Sequence, residues 1–292
     1  MVKIWKHQVL DMDLFNLKLI EIIFRYAHIF AVILWIGNSY FFTYVDNKIQ
    51  KNITDKGIDA EGILQHSGIF YRLSRFKGVP DQFEKMEKNL VIFKWQATTA
   101  FVTGIFLLII IYYKNAQFLI IDPRITSNVT PLIGIIASIV SIAVSWLFYH
   151  MISRSKLRNN KAIFATILFI FSVIVTYILA QVFSQRFLFF SIGLTLAVIM
   201  FFNVWYVIIP NQKSMVSAAL NKTDFDLNLS FDSKRRSLDN NLLTPTVLLS
   251  MIYGHIGIIS SSKYSIFILF AFAITSGFAR HFINLRNQKN NN

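Results

Sequence analysis

Of the chain's 292 residues, 54% are hydrophobic, 15% aromatic and only 15% charged, a balance outside that of soluble domains and typical of polytopic membrane proteins. The absence of cysteine excludes disulfides, thiolate metal ligands, iron–sulfur clusters and covalently attached c-type haem, so a redox cofactor must be held by His or by noncovalent packing. The formal charge of +14 is expected in loops facing an anionic leaflet, and no nucleic-acid partner is expected.

In chain order, residues 1–18 read as an interfacial lead-in, with Trp5, Leu10, Leu14 and Leu17 interrupted by charge. The first apolar run carries charges and extends past a signal-peptide core, so it reads as a retained helix. About seven transmembrane helices are predicted, at residues 19–45, 90–113, 131–152, 162–181, 187–210, 242–260 and 263–283, each near the ~20 residues that a bilayer core demands. The fold class is therefore all-α, a polytopic membrane helix bundle over residues 19–283. Residues 46–89 are expected to form a polar loop with a short surface helix in DQFEKMEKN after Pro80, and residues 211–241 a second polar loop. Residues 284–292 read as a disordered cytoplasmic tail.

Threading these spans places 19 of the 29 Lys and Arg residues on one side and seven on the other. The short loop SRSKLRNNK, with four bases and no acid, is the clearest case. The positive-inside rule puts the N-terminus outside and the C-terminus in the cytoplasm.

An ionisable side chain inside a spanning helix costs about 2.5 kcal/mol or more unless it meets a partner, cofactor or water, so each such group marks a candidate site. In FRYAHIFAVILWIG, Arg25, His28 and Trp35 share one face of the first helix, and His255 in MIYGHIG falls at similar depth. Two neutral imidazoles at matched depth are the arrangement a b-type haem needs, with Arg25 near a propionate; the alternative is a packed His bonded to a carbonyl or water. A second polar group gathers toward the cytoplasmic ends: Lys94 and Gln96, Asn203, Asn240 and Asn241, and Arg280 and His281. Arg and amide side chains suit a planar, acidic, amide-rich molecule, whereas the same residues also snorkel to headgroups or link helices. His7, His66 and His150 read as surface or interfacial residues. No Walker loop, dinucleotide fingerprint, HExxH or GxSxG is present.

Several stretches, in order along most of the chain, resemble one family: RYAHIFAVILWIGNSYFFTYVDN, HSGIFYRLSRFK, FKWQATTAFVTGIFLLIIIYYKN with LIIDP, NVWYVIIPNQKSMV, KRRSLDNNLLTPTVLLSM and RHFIN. They are similar to the membrane-bound urate oxidases, bacterial urate hydroxylases that pass electrons to cytochrome c instead of to oxygen. The resemblance implies oxidation of urate to 5-hydroxyisourate in the bacterial inner membrane. It implies a cradle of Arg280, Gln96, Asn203 and Asn241, His281 as base, and haem between His28 and His255. The family pattern has Glu where Gln96 stands, His at Ser191 and at Asp239, and Asn at Gly254. Relatives continue through an eighth helix into a cytochrome c domain; this chain lacks CxxCH, so electrons are expected to leave through a separate cytochrome c. Two other readings stay open: a non-catalytic haem-binding electron-transfer subunit, and a structural relative without the chemistry. A copper-handling permease is disfavoured because the seven Met form no MxxM cluster.

Overall fold

The computed structural model describes residues 2–51, 57–76, 90–122, 129–224, 226–253 and 264–289. The first apolar run lies within one continuous helix, α1 (Val2–Lys48), whose 47 residues extend about 70 Å at 1.5 Å per residue. No break separates the expected lead-in from the span. The remaining helices are α2 (Trp95–Leu107), prolonged by a π turn at Leu108–Tyr113, the short α3 (Ala116–Leu119), α4 (Pro131–Arg154) and α5 (Lys161–Leu179). They continue with α6 (Gln185–Phe202), a second π turn (Asn203–Ile208), α7 (Ile209–Leu220), α8 (Leu227–Tyr253) and α9 (Ser265–Lys289). The fold is all-α, as expected.

Among the described residues, five helical stretches are long and apolar enough to cross a membrane: Phe15–Lys48, Trp95–Tyr113, Pro131–Arg154, Lys161–Leu179 and Gln185–Leu220. They match the first five predicted spans. The sixth (242–260) lies partly within α8 and partly outside the described residues, and the seventh is represented by the shorter apolar stretch Ser265–Ala279. Helix starts follow local chemistry. Thr130 accepts a bond from Ile133 N ahead of Pro131, and Asn160 Oδ1 accepts from Ala162 N and Ile163 N, both at 3.1 Å.

Three expectations need correction. The segment after α1 contains a three-stranded antiparallel sheet, β1 (Gln50–Lys51), β2 (Ile58–His66) and β3 (Ile69–Phe76), instead of only loop. His66 pairs with Ile69, leaving a two-residue turn in which Ser67 (φ 50°) and Gly68 (φ 80°) are both left-handed, as a type I′ hairpin requires. The DQFEKMEKN stretch lies outside the described residues. Secondly, helix does not stop at Pro210. The proline removes the donor that an α-turn would aim at Tyr206, and the wider π turn before it carries the chain onward to Leu220. Thirdly, the polar segment before residue 242 is helical from Leu227, with Pro245 inside α8.

The described chain falls into two compact units. The first comprises Met1–Trp35, Trp95–Phe201 and Thr246–Ala271. There α1 packs on α2 in antiparallel fashion: Phe24 stacks on Phe106 with centroids 4.6 Å apart, and buried Ala31 continues the same face. On α2 the small residues Ala97, Ala100 and Gly104 let the helices approach, the small-residue mode of membrane helix packing. Likewise α6 meets α8 where Phe189 stacks on Tyr253 at 3.5 Å, and a Cβ added at Gly193 would overlap Ser250 Oγ. The opposite face of α1 exposes Ile22, Ile23, Ile29 and Ile33, an apolar surface suited to lipid. The second unit comprises Ile36–Lys94, Phe202–Pro245 and Phe272–Asn292. In it, Asp46 at the end of α1 lies 3.6 Å from Arg75 of β3 and 3.4 Å from Lys234 of α8, while Asn211 donates to Leu229 O and Ser233 Oγ, tying α7 to α8.

Candidate functional site

In the first unit, the imidazole of His28 faces α2. Its Nδ1 lies 2.8 Å from the carbonyl oxygen of Ala100 and 3.2 Å from Thr103 Oγ1. A carbonyl can only accept, so Nδ1 carries the proton and Nε2 keeps its lone pair. Among the described residues nothing is hydrogen-bonded to Nε2. This is the arrangement of a ligating imidazole, whose other nitrogen is oriented by a backbone carbonyl; it is also how a packed neutral His satisfies itself. Gly104 keeps the ring in place, since a Cβ there would stand 3.0 Å from Cε1 and 3.4 Å from Nδ1. The proposed second ligand, His255, lies outside the described residues.

Arg25 is not alone on its face. Glu21, one turn earlier, accepts from its Nε at 2.9 Å and NH2 at 2.8 Å, and also accepts from Lys18 at 3.0 Å. Glu21 stands at i,i+4 spacing from Arg25, a pairing signal present in the sequence but not among the candidate site residues above. Among the described residues, NH1 of Arg25 makes no hydrogen bond. No group of three or more His, Cys, Asp or Glu converges among the described residues.

In the second unit, α8 presents a buried polar stripe to the π turn that follows α6. Arg236, Asn240 and Thr244, spaced by four, lie on one face, with Asn241 beside them. Arg236 is 1% exposed, as is Asn203, the first residue of the π turn. The guanidinium NH1 donates to Asn203 Oδ1 at 3.2 Å, and Asn203 Nδ2 donates to Asn240 Oδ1 at 2.9 Å. The Nε of Arg236 stands 3.7 Å from Asp232 Oδ1, a carboxylate that is itself 41% exposed.

Asn241 turns toward α1 instead. Its amide donates to Ser39 Oγ at 3.1 Å and Thr43 Oγ1 at 3.0 Å. The backbone explains a third partner: Pro245 lacks the N–H that would bond the carbonyl of Asn241, and Tyr40 OH donates to that carbonyl at 3.3 Å. Asn241 therefore serves as a helix link, whatever else it does.

The structure thus brings together Asn203 and Asn240 and adds Arg236, which falls within the 211–241 segment expected to be a polar loop. The signal was present in RRSLDNNLLTP, whose Arg236, Asn240 and Thr244 have helical spacing. Gln96 is the second residue of α2, in the first unit, and Lys94 immediately precedes that helix. Arg280 and His281 lie on α9, with side chains outside the described set. Of the three histidines read as surface groups, His66 is exposed at the hairpin turn, His150 stands 5.6 Å from Trp146 between ring centroids, and the side chain of His7 is outside the described set. Ser191 is buried and donates to Leu188 O at 2.8 Å.

A family model described as urate oxidase N-terminal matches residues 15–292. No curated protein and no solved structure matches the chain.

Proposed function

Because the chain belongs to the urate oxidase N-terminal family, we propose that it is a membrane oxidoreductase that converts urate to 5-hydroxyisourate and delivers the electrons to a separate cytochrome c. The observation that carries this reading is the buried guanidinium and amide cluster of Arg236, Asn203 and Asn240, polar groups whose burial in an apolar bundle marks a candidate site.

Urate is a planar anion with alternating N–H and C=O edges, which amides meet with a donor and an acceptor each. In the reaction the urate anion loses two electrons, water forms a bond at C5, and two protons leave, so that the product is the 5-hydroxyisourate anion. Two cytochrome c molecules each accept one electron. The residues proposed to hold substrate are Asn203, Asn241, Gln96 and Arg280, with His281 taking a proton from the incoming water. The amide of Gln96 can orient that water but not accept its proton, which leaves the base role to His281.

The proposed ligands of a b-type haem are His28 and His255. When bound, that group supplies a one-electron relay. The tautomer of His28 fits this role, since Ala100 holds the proton on Nδ1 and leaves Nε2 as the ligating atom. Glu21 occupies Nε and NH2 of Arg25, and NH1 is the atom proposed to meet a propionate. The proposed setting is the bacterial inner membrane, N-terminus outside and C-terminus in the cytoplasm, on the strength of the basic bias of one set of loops.

A reduced-minus-oxidised spectrum of the purified protein, repeated after adding urate without oxygen, tests the reading. A b-type spectrum that urate reduces is expected. A haem spectrum that urate leaves oxidised would favour the non-catalytic electron-transfer subunit, and a featureless spectrum with no urate consumption would favour a structural relative.

A further inference from the structure

The hairpin of β2 and β3 changes character along its length. Its base is ionic: Arg75 NH2 lies 2.7 Å from Asp59 Oδ2, Arg72 NH2 lies 2.7 Å from Glu61 Oε1, and Ser74 Oγ donates to the same Glu61 oxygen at 2.9 Å. Its outer end is apolar and open, with Ile63, Ile69, Phe70 and Tyr71 exposed by 75%, 57%, 76% and 45%. Directly opposite residues share a face, and the register sets Ile63 against Arg72 and Gln65 against Phe70, so Ile63 and Phe70 lie on one face. Ile69 and Tyr71 lie on the other. A protein docked on the sheet would cover one face, whereas lipid surrounds both.

The backbone directs this end of the hairpin toward the membrane. Between Arg25 and Asp46, α1 runs twenty residues without Asp, Glu, Lys or Arg, which at 1.5 Å per residue is about 30 Å, the thickness of a hydrocarbon core. The core therefore ends near Asp46, the residue that holds Arg75 of β3 and Lys234 of α8, and the base of the hairpin stands at headgroup level. β1 leaves α1 after the single residue Ile49, and β2 runs antiparallel to β1, with Gln50 opposite Glu61 and a Cβ on Gly62 touching Ile49. Beyond Gly62 the strand thus returns past the end of α1, and Ile63 to His66 carry the tip about 13 Å in that direction, enough to cross a headgroup layer. Hydrocarbon does not tolerate an open strand edge, so the outer edge of β3, unpaired among the described residues, keeps the tip at the interface.

We infer that the β2–β3 hairpin is an interfacial anchor whose tip, Ile63, Ile69, Phe70 and Tyr71, inserts into the phospholipid leaflet at the C-terminal end of α1. Arg72, with its side chain 65% exposed on the face of Ile63 and Phe70, stands at the level of the lipid phosphates. The same end of α1 exposes Phe41, Phe42 and Tyr44, so the tip extends an apolar surface that already faces lipid. Through Asp46 the anchor fixes the depth of α1 and of Lys234 on α8. It is independent of the reaction proposed above.

The chain has no cysteine, so one introduced cysteine carries a nitroxide label to a single place. The full chain is reconstituted in vesicles of phosphatidylethanolamine and phosphatidylglycerol, and collisions of the label with dioxygen, which partitions into lipid, are compared with collisions with a water-soluble nickel chelate. Dioxygen is expected to dominate at Ile63→Cys and Phe70→Cys. The chelate is expected to dominate at Asn221→Cys, an exposed position at the end of α7. Ile69→Cys is expected to report dioxygen as well, and to switch to the chelate once Ile63→Asp and Phe70→Asp are added. Chelate-dominated collisions at both Ile63→Cys and Phe70→Cys would overturn the anchor by placing the tip in water. Labels shielded from both probes, in vesicles and in detergent alike, would overturn it by showing that protein covers the tip. No switch at Ile69→Cys would overturn the assignment of the anchoring to Ile63 and Phe70.

Discussion

The imidazole of His28 depends on the absence of a side chain opposite it. A Cβ at position 104 would stand 3.0 Å from Cε1, whereas one at position 37, also within a helix, would meet nothing within 4 Å. Alanine gains about 0.8–1 kcal/mol over glycine in a helix interior, and overpacking a fitted site costs about 1–3 kcal/mol. Helix propensity acts alone at Gly37, whereas the two effects oppose each other at Gly104. Gly37→Ala is expected to raise unfolding stability by a few tenths to 1 kcal/mol. Gly104→Ala is expected to lower it and to break the His28–Ala100 bond, so that any haem retained shows an altered Soret band. Denaturant unfolding of both variants in one detergent checks the sign. At this scale the sequence was informative about which residues were unusual and silent about their partners. Arg25 and His28 stood out in an apolar run, but Glu21, Ala100, Thr103 and Ser39 are ordinary residues until side chains distant in sequence meet.

At the scale of elements, the proline in α8 creates a lone carbonyl that α1 supplies. Tyr40 donates to the oxygen of Asn241, the carbonyl that Pro245 leaves without its helical N–H. Tyr40→Phe is expected to cost about 0.5–1.5 kcal/mol, the net value of a typical hydrogen bond. In a Pro245→Ala background, where the helix can bond that carbonyl itself, the same change is expected to cost less by at least 0.5 kcal/mol. A double-mutant cycle by unfolding measures the difference, and equal costs in the two backgrounds would show that the tyrosine acts through packing alone. The predictable elements were the long apolar ones, because about 20 apolar residues have few other folds available in lipid. Three features were hidden for identifiable reasons. Ser67–Gly68 was a type I′ turn written with Ser in place of the more telling Asn. Pro210 suggested a helix end that a π turn avoided. The charges of KRRSLDNN suggested solvent where α8 buries Arg236 and three neighbouring polar residues, Asp239, Asn240 and Asn241.

For the whole molecule, the chain is an all-α bundle of the urate oxidase N-terminal family with five described stretches able to cross a membrane. The bundle was legible because composition and run length decide it; the proposed reaction rests on motifs spread along most of the chain. In the proposed scheme substrate binds near the cytoplasmic ends and electrons leave outward, so the chemistry and the topology are tested together. Right-side-out membrane vesicles containing the chain are loaded with urate in water enriched in heavy oxygen, freed of dioxygen, and given oxidised cytochrome c outside. The account predicts two external cytochrome c molecules reduced per urate consumed, 5-hydroxyisourate carrying heavy oxygen at C5, and no reduction in vesicles without the chain. Urate that persists unchanged while cytochrome c stays oxidised, or oxidation that proceeds only when dioxygen is restored, would contradict it.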